Sequence, residues 1–235
     1  TNLIFPGSQN STSYSMDRAN TSSVFRFGRD FRNNTTLGLL FTNREGGDYF
    51  NRVYGIDGNL RFRQNDEVVF QFLGSGTKYD DTTAVNYNQP LGQFNDRAIS
   101  AAYQHKTRHH VVQLGYEDIG ENFRADMGFL PQVGFRRYNA YSNYEWRTEK
   151  SKNWWTKFNL VNSAAYTSGS DGTMLEKSLT NTLSYDGIYQ TYLSIGNTLS
   201  RQYYNGIEFG LSQYTVSAGI IPTGYFSLSV YSSFG

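Results

Sequence analysis

Two pairs of adjacent side chains stand out as possible chemistry, Asp80–Asp81 and His109–His110. Paired acids with a histidine could activate water, provided that acid and base come within hydrogen-bond reach. His105 and His109 could share a metal ion, but no third ligand follows nearby to complete a site. The segment 117–126 carries Glu117, Asp118, Glu121 and Asp126, yet lacks the spaced Asp/Asn–Gly pattern of a dedicated calcium loop. The chain has no cysteine, which removes thiolate nucleophiles, thiolate zinc sites and disulfides. Tripeptides starting at Asn10, Asn20 and Asn34 match the glycosylation pattern and read as ordinary polar loops. These residues predict no catalytic centre, no metal and no cofactor; the chain is not expected to be an enzyme.

Whether the two pairs can meet depends on the elements that carry them, and the apolar pattern has a period of two almost throughout. From Tyr54 the even positions read Tyr54, Ile56, Gly58, Leu60, Phe62, while the odd ones read Val53, Gly55, Asp57, Asn59, Arg61. Val112, Leu114 and Tyr116 alternate with Val111, Gln113 and Gly115, and Phe226, Leu228 and Val230 with Ser227, Ser229 and Tyr231. Successive strand side chains point to opposite faces, so each such segment has one apolar and one polar face. The pattern predicts twelve strands, over 21–31, 35–45, 50–64, 67–77, 96–106, 109–118, 134–147, 152–166, 173–185, 188–201, 206–221 and 224–234. A β-bulge is expected near Gln213–Thr215, because apolar parity switches from Phe209 and Leu211 to Val216, Ala218 and Ile220. Pro6, Pro90, Pro131 and Pro222 all fall between the segments, as fully paired strands require.

Composition selects among all-β architectures. Aromatic and charged residues each make up 17% of the 235 residues, and the net charge of +1 speaks against a nucleic-acid partner. Mean hydropathy is −0.58 and no apolar run is long enough for a membrane helix. A soluble sandwich alternates too, but its strands run about 5–6 residues; most of these reach the roughly 9–11 needed to cross a bilayer. One face is rich in Gly, Ser, Thr, Asn and Gln, and the other is nearly free of charge. The reading is an antiparallel up-and-down transmembrane β-barrel in the bacterial outer membrane, in contact with its lipid and lipopolysaccharide. Phe25, Phe31, Tyr49, Tyr54, Tyr103, Tyr116, Trp146, Trp154, Tyr185, Tyr189 and Tyr225, near strand ends, read as its interfacial girdle.

Connections after odd-numbered strands are short, Thr148–Ser151 and Asp186–Gly187 among them, while 78–95 and 119–133 are long. Short periplasmic turns and long extracellular loops orient the chain. Residues 1–20 are then an extracellular loop or extension, the Asp pair is extracellular and the His pair periplasmic. A membrane core of about 30 Å separates those levels, so no dyad is expected. An even strand count with both ends outside, and the ban on open edges in lipid, predict that 1–235 is one barrel domain cut from a larger barrel. By parity the lumen receives Arg26, Asp30, Arg44, Asp57, Arg61, Arg63, Arg137, Glu145, Lys157, Glu176 and Glu208. Both signs are present, so strong ion selectivity is not expected. Asp80, Asp81, Phe123, Asp126 and Phe129 mark the extracellular loops, with Phe123, Met127, Phe129 and Leu130 expected to pack back onto the barrel mouth.

The runs FRFGRDFRNNTTLGLLFTNRE (25–45), NRVYGIDGNLRF (51–62) and GYEDIGENFRADMGFLPQVGFRRYN (115–139) resemble a bacterial outer-membrane family. In that family a carbohydrate-binding-like domain precedes a large C-terminal β-barrel domain of unknown function. The resemblance covers about 25–140 and implies a barrel with further portions on both sides. It carries no sugar-binding or catalytic residue onto this chain. The expected function is a pore or transport component. The alternative is an anchoring or assembly barrel with a plugged lumen and a protein partner at its extracellular loops or in the periplasm. A surface hydrolase is the third reading.

Overall fold

The alternating segments become the strands of one antiparallel meander in a computed structural model that describes residues 2–15, 19–148, 153–204 and 206–235. A short hairpin comes first, β1 (Asn2–Pro6) and β2 (Ser11–Ser15). The large sheet follows with β3 (Thr21–Phe31), β4 (Thr35–Gly46), β5 (Tyr49–Arg63), β6 (Asp66–Lys78), β7 (Gln93–Lys106) and β8 (His110–Ile119). It continues with β9 (Phe135–Arg147), β10 (Trp155–Gly169), β11 (Met174–Gly187), β12 (Tyr192–Tyr204), β13 (Ile207–Thr223) and β14 (Phe226–Phe234). Each of these twelve strands pairs with its sequence neighbours, from β3 at one edge to β14 at the other, and the sheet is not closed into a barrel. The turn expected over Thr148–Ser151 lies partly outside the described residues. No helix among the described residues is long and apolar enough to cross a membrane; α1 (Asp81–Asn86) has six residues.

The chain divides into two compact units: Thr1–Tyr103 with Gly115–Arg137 and Ser168–Thr173, and Gln104–Leu114 with Tyr138–Thr167 and Met174–Gly235. In the first, register sorts the faces as alternation requires. Phe25, Phe41 and Tyr54 form one cross-strand row, and Phe27, Leu39, Ile56 and Phe72 the next. All seven of these side chains are exposed, Tyr54 to 58%. The opposite face carries Gly28, Gly38, Asp57 and Gln71 in one row, and Arg26 reaches diagonally to Asp57 in an ion pair. A register shift between Arg61 and Arg63 interrupts the alternation that placed Arg63.

The second unit corrects the expected bulge. The β12–β13 ladder runs without a shift from Tyr192–Gly219 to Tyr204–Ile207. Phe209 and Leu211 are therefore paired with Gln202 and Ser200 on the polar face, and Glu208, expected inside, faces the apolar side beside Tyr203. Arg201 meets Glu208 there at 3.1 Å. Breaking the ladder would have cost main-chain hydrogen bonds, and two exposed apolar side chains are the smaller penalty. The irregularity falls instead between Ile220 and Thr223, around Pro222, which lies inside β13 rather than in a turn. A proline has no N–H to give a ladder, so a register shift is where a strand tolerates it.

Close packing of the β5–β6 ladder leaves no room for a side chain at Gly55, where a Cβ would run into the Phe72 carbonyl oxygen and the Leu73 side chain; at Gly28 it would meet nothing within 4 Å. Gly55→Val is expected to destabilise the protein by about 2 kcal/mol, and Gly28→Val to leave stability nearly unchanged; urea titrations of the two variants test the contrast.

Candidate functional site

The polar face of the first unit has a row that is buried across β4, β5 and β6. Arg44 on β4 is the cross-strand partner of Asn51 on β5, which in turn faces Thr77 on β6. Ser75 sits one row further along β6, opposite Val53, and all four polar residues are buried. Buried polar groups need hydrogen bonds, and here the segment 120–134 supplies several of them, although Arg44 Nη2 is buried without one. Asn51 Nδ2 donates to Thr77 Oγ1 at 2.8 Å and to the Arg124 carbonyl at 3.0 Å, while its Oδ1 accepts from the Asp126 N–H at 3.0 Å. The Arg124 N–H donates to Ser75 Oγ at 3.2 Å, and Arg44 Nη1 to the Asp126 carbonyl at 3.0 Å. Sheet side chains thus satisfy the backbone of 124–126 much as an extra strand would.

Side chains of the inserted segment complete the clamp. The Asp126 carboxylate accepts from the Tyr49 hydroxyl at 2.8 Å and the Tyr79 hydroxyl at 3.1 Å. Burial pushes its pKa above the ordinary carboxylate range, against the opposing pull of both hydroxyls and the Arg124 and Arg44 charges. Arg124, buried, donates to Gln89 Oε1 and to the carbonyls of Glu121 and Phe123. Burial lowers its pKa. Phe123 is buried, with 2% of its surface exposed. Beside the clamp, Leu3 and Phe5 of the β1–β2 hairpin pack with Tyr49, Tyr79, Ala84 and Phe94 in an apolar core. The hairpin also meets the inserted segment, where Val133 N–H donates to the Gly7 carbonyl at 3.0 Å.

The predicted site residues divide accordingly. Phe123 packs back onto the sheet, while Asp126, expected only as a loop acid, reaches the Tyr49 and Tyr79 hydroxyls; Phe129, expected to pack back, is 79% exposed. Tyr49, expected in the girdle, is buried because its hydroxyl is drawn to Asp126. Asp80 lies in the connection between β6 and β7 and is the N-cap of α1, accepting from the Thr83 N–H and hydroxyl at 3.0 and 2.9 Å, and Asp81 lies in that helix's first turn. His109 Nδ1 lies 3.2 Å from the Glu145 carbonyl, and His110 Nε2 3.2 Å from Ser142 Oγ. Among the described residues no group of three or more His, Asp or Glu could hold a metal ion. Of the charges expected inside, Arg61 pairs with Glu67 at 3.1 Å, Arg137 with Glu117 at 3.4 Å, Glu145 with Arg147 at 2.9 Å and Lys157 with Asp186 at 2.8 Å. Gln202 donates to Glu176 at 3.4 Å. Sequence reasoning missed Asn51, Ser75, Thr77, Tyr79, Gln89 and Arg124; parity alone puts the first three on the polar face, but no local signal says what would cover them.

Fold and site define the chain as an all-β meander whose polar face is clamped by an inserted segment. No protein-family model matches it, and comparison with curated proteins finds no match.

Asp126→Ala would strand two buried tyrosine hydroxyls and is expected to cost about 2 kcal/mol, read as faster amide exchange across 120–134. Because the folded pKa of Asp126 lies above its unfolded value of about 4, its share of stability is full below that value and is lost as pH rises through the folded pKa. Asp126→Asn is expected to flatten this dependence in the same exchange measurement.

Proposed function

We propose that this sheet is part of the wall of an outer-membrane β-barrel that acts as a pore or transport component, constricted at one mouth by the clamp. The observation that supports it most is the exposed apolar face of the first unit, built from successive cross-strand rows of Phe, Leu, Ile and Tyr. In water such a face is an association hazard; against lipid it is the expected surface. The twelve strands have nine to seventeen residues, enough to span a bilayer. An open edge is not tolerated in hydrocarbon, so this reading requires the free edges of β3 and β14 to be paired. The partners required are further strands, as the family resemblance at 25–45, 51–62 and 115–139 implies. The second reading, an anchoring or assembly barrel that binds a protein through its loops, is favoured by the inward-folded 120–134 segment. The hydrolase reading draws nothing from Asp80, which caps a helix.

Since the natural chain has no cysteine, any introduced thiol is unique. In lipid vesicles, a bimane on Phe72→Cys is expected to be quenched by brominated acyl chains, and Gln71→Cys to react with a charged aqueous thiol reagent. Equal aqueous reactivity of the two neighbours would sink the membrane reading. In planar bilayers, Asn51→Ala is expected to raise single-channel conductance above wild type by loosening the clamp; no conductance from either protein would leave the anchoring reading in its place.

A further inference from the structure

We propose that the apolar face of β11–β13 binds lipopolysaccharide, with Lys177 and Arg201 holding a phosphate of its lipid anchor and the groove beside them taking an acyl chain. The ladders put Lys177, Arg201 and Gly210 in one cross-strand row, and Leu179, Leu199 and Ser212 in the next row of the same face. These six residues line a groove of about 550 Å³, within the range of roughly 300–1,000 Å³ typical of ligand sites. Gly210 and Ser212 keep it open: a Cβ on Gly210 would meet nothing within 4 Å. Leu179 and Leu199 form its floor and are both exposed.

Charge on this face collects at one end. Beyond the leucines the rows read Asn181, Asn197, Tyr214 and then Leu183, Ile195, Val216, with no ionisable acid or base among them but the tyrosine. At the other end Arg201 meets Glu208 at 3.1 Å, with more than half of the arginine side chain exposed. Lys177 is exposed and has no ion-pair partner among the described residues. Two cations against one carboxylate leave a positive excess at the head of an apolar groove. A lysine ammonium binds phosphate as a point charge, and an arginine fork can serve two acceptors at once.

The inference rests on the membrane reading, which turns this face to lipid and puts the short Ile188–Gln190 turn between β11 and β12 in the periplasm. Lys177, Arg201 and Gly210 lie at the opposite ends of their strands, at the outer leaflet, whose phosphate-bearing lipid is lipopolysaccharide. Free phosphate would engage the cations and leave the leucines bare. A neutral lipid would cover the leucines and leave Lys177 without a counter-charge. Only a molecule that joins an anionic head to an apolar chain uses both parts, and basic pockets at the membrane surface recognise lipid head groups in this way. The whole groove lies within the second unit.

The test has two arms, both read by native mass spectrometry of the full chain. In the first, protein extracted from bacterial outer membranes in mild detergent is expected to carry lipopolysaccharide; retention of phospholipid in its place, or a lipid-free dimer, would overturn the proposal. In the second, the delipidated protein is titrated with diphosphoryl lipid A and with its dephosphorylated form. The phosphorylated lipid is expected to bind at least about tenfold more tightly, the factor that a charged hydrogen bond confers. Lys177→Gln should remove most of that preference, and Glu208→Gln, which deletes the competing carboxylate, should increase it. Gly210→Leu fills the groove without a clash at Cβ and should weaken both lipids. Equal binding of the two lipids, or an unchanged preference in Lys177→Gln, would overturn the proposal. A chain found in the outer membrane without bound lipopolysaccharide would defeat this inference alone, whereas a chain absent from that membrane would remove the membrane reading as well.

Discussion

Main-chain pairing is the constraint on which everything else in this protein depends. Once two strands share an unbroken ladder, every side chain is assigned to a face, and individual preferences can no longer change the assignment. In the first unit this works in the chain's favour, because Phe27, Leu39, Ile56 and Phe72 arrive in one row and Gly28, Gly38, Asp57 and Gln71 in the next. In the second it overrides them. Phe209 and Leu211 are carried to the polar face by a ladder that keeps its register over thirteen residue pairs, from Tyr192 to Tyr204. Hydrogen bonds are lost in groups when a ladder breaks, whereas a misplaced leucine costs only its own hydration.

The same constraint creates the clamp. A row of buried polar residues, Arg44, Asn51 and Thr77, presents donors and acceptors that a bare sheet face could satisfy only with water. The segment around 124–126 offers a backbone without ladder partners of its own. Each solves the other's deficit, and Asn51, with both amide atoms engaged, is the joint between them. The carboxylate of Asp126 is more exacting. Its burial is unfavourable for the charged form, and the hydroxyls of Tyr49 and Tyr79 reduce that penalty without removing it.

Much of the sheet was legible because period-two alternation is a local signal: Thr21–Phe31 was placed to the residue, and most other strands to within a few. Three kinds of feature were not. The hairpin Asn2–Pro6 with Ser11–Ser15 was hidden because STSYS reads as a polar loop, and only Leu3 and Phe5, buried by distant tyrosines, give it a reason to fold. Helix α1 depends on a cap, Asp80, whose position resembled an acidic loop. The clamp escaped because its partners are brought together by topology alone. Phe123 and Asp126 were recognisable as loop residues with a role, but Asn51 looked like any other polar residue of a strand. Of the charges assigned by parity, Arg61 pairs with Glu67 on the next strand and Arg26 with Asp57 across β4, while Glu208 lies on the face opposite to the expected one because the ladder keeps its register.

The spacing of the clamp along the chain has a bearing on how the protein assembles. Asn51 and Arg124 are 73 residues apart, and Arg44 and Asp126 are 82 apart, while β3 and β4 are joined by only three residues, Arg32–Asn34. Closing a long loop carries a larger entropic cost than closing a hairpin, and contacts of high sequence separation form late. The seat for 124–126 does not exist until β4, β5 and β6 are in register, since Arg44, Asn51 and Thr77 must first lie side by side. The clamp therefore proofreads the strands beneath it: a slip of one residue in either ladder turns one wall of its seat to the opposite face and leaves the inserted segment with nowhere to dock.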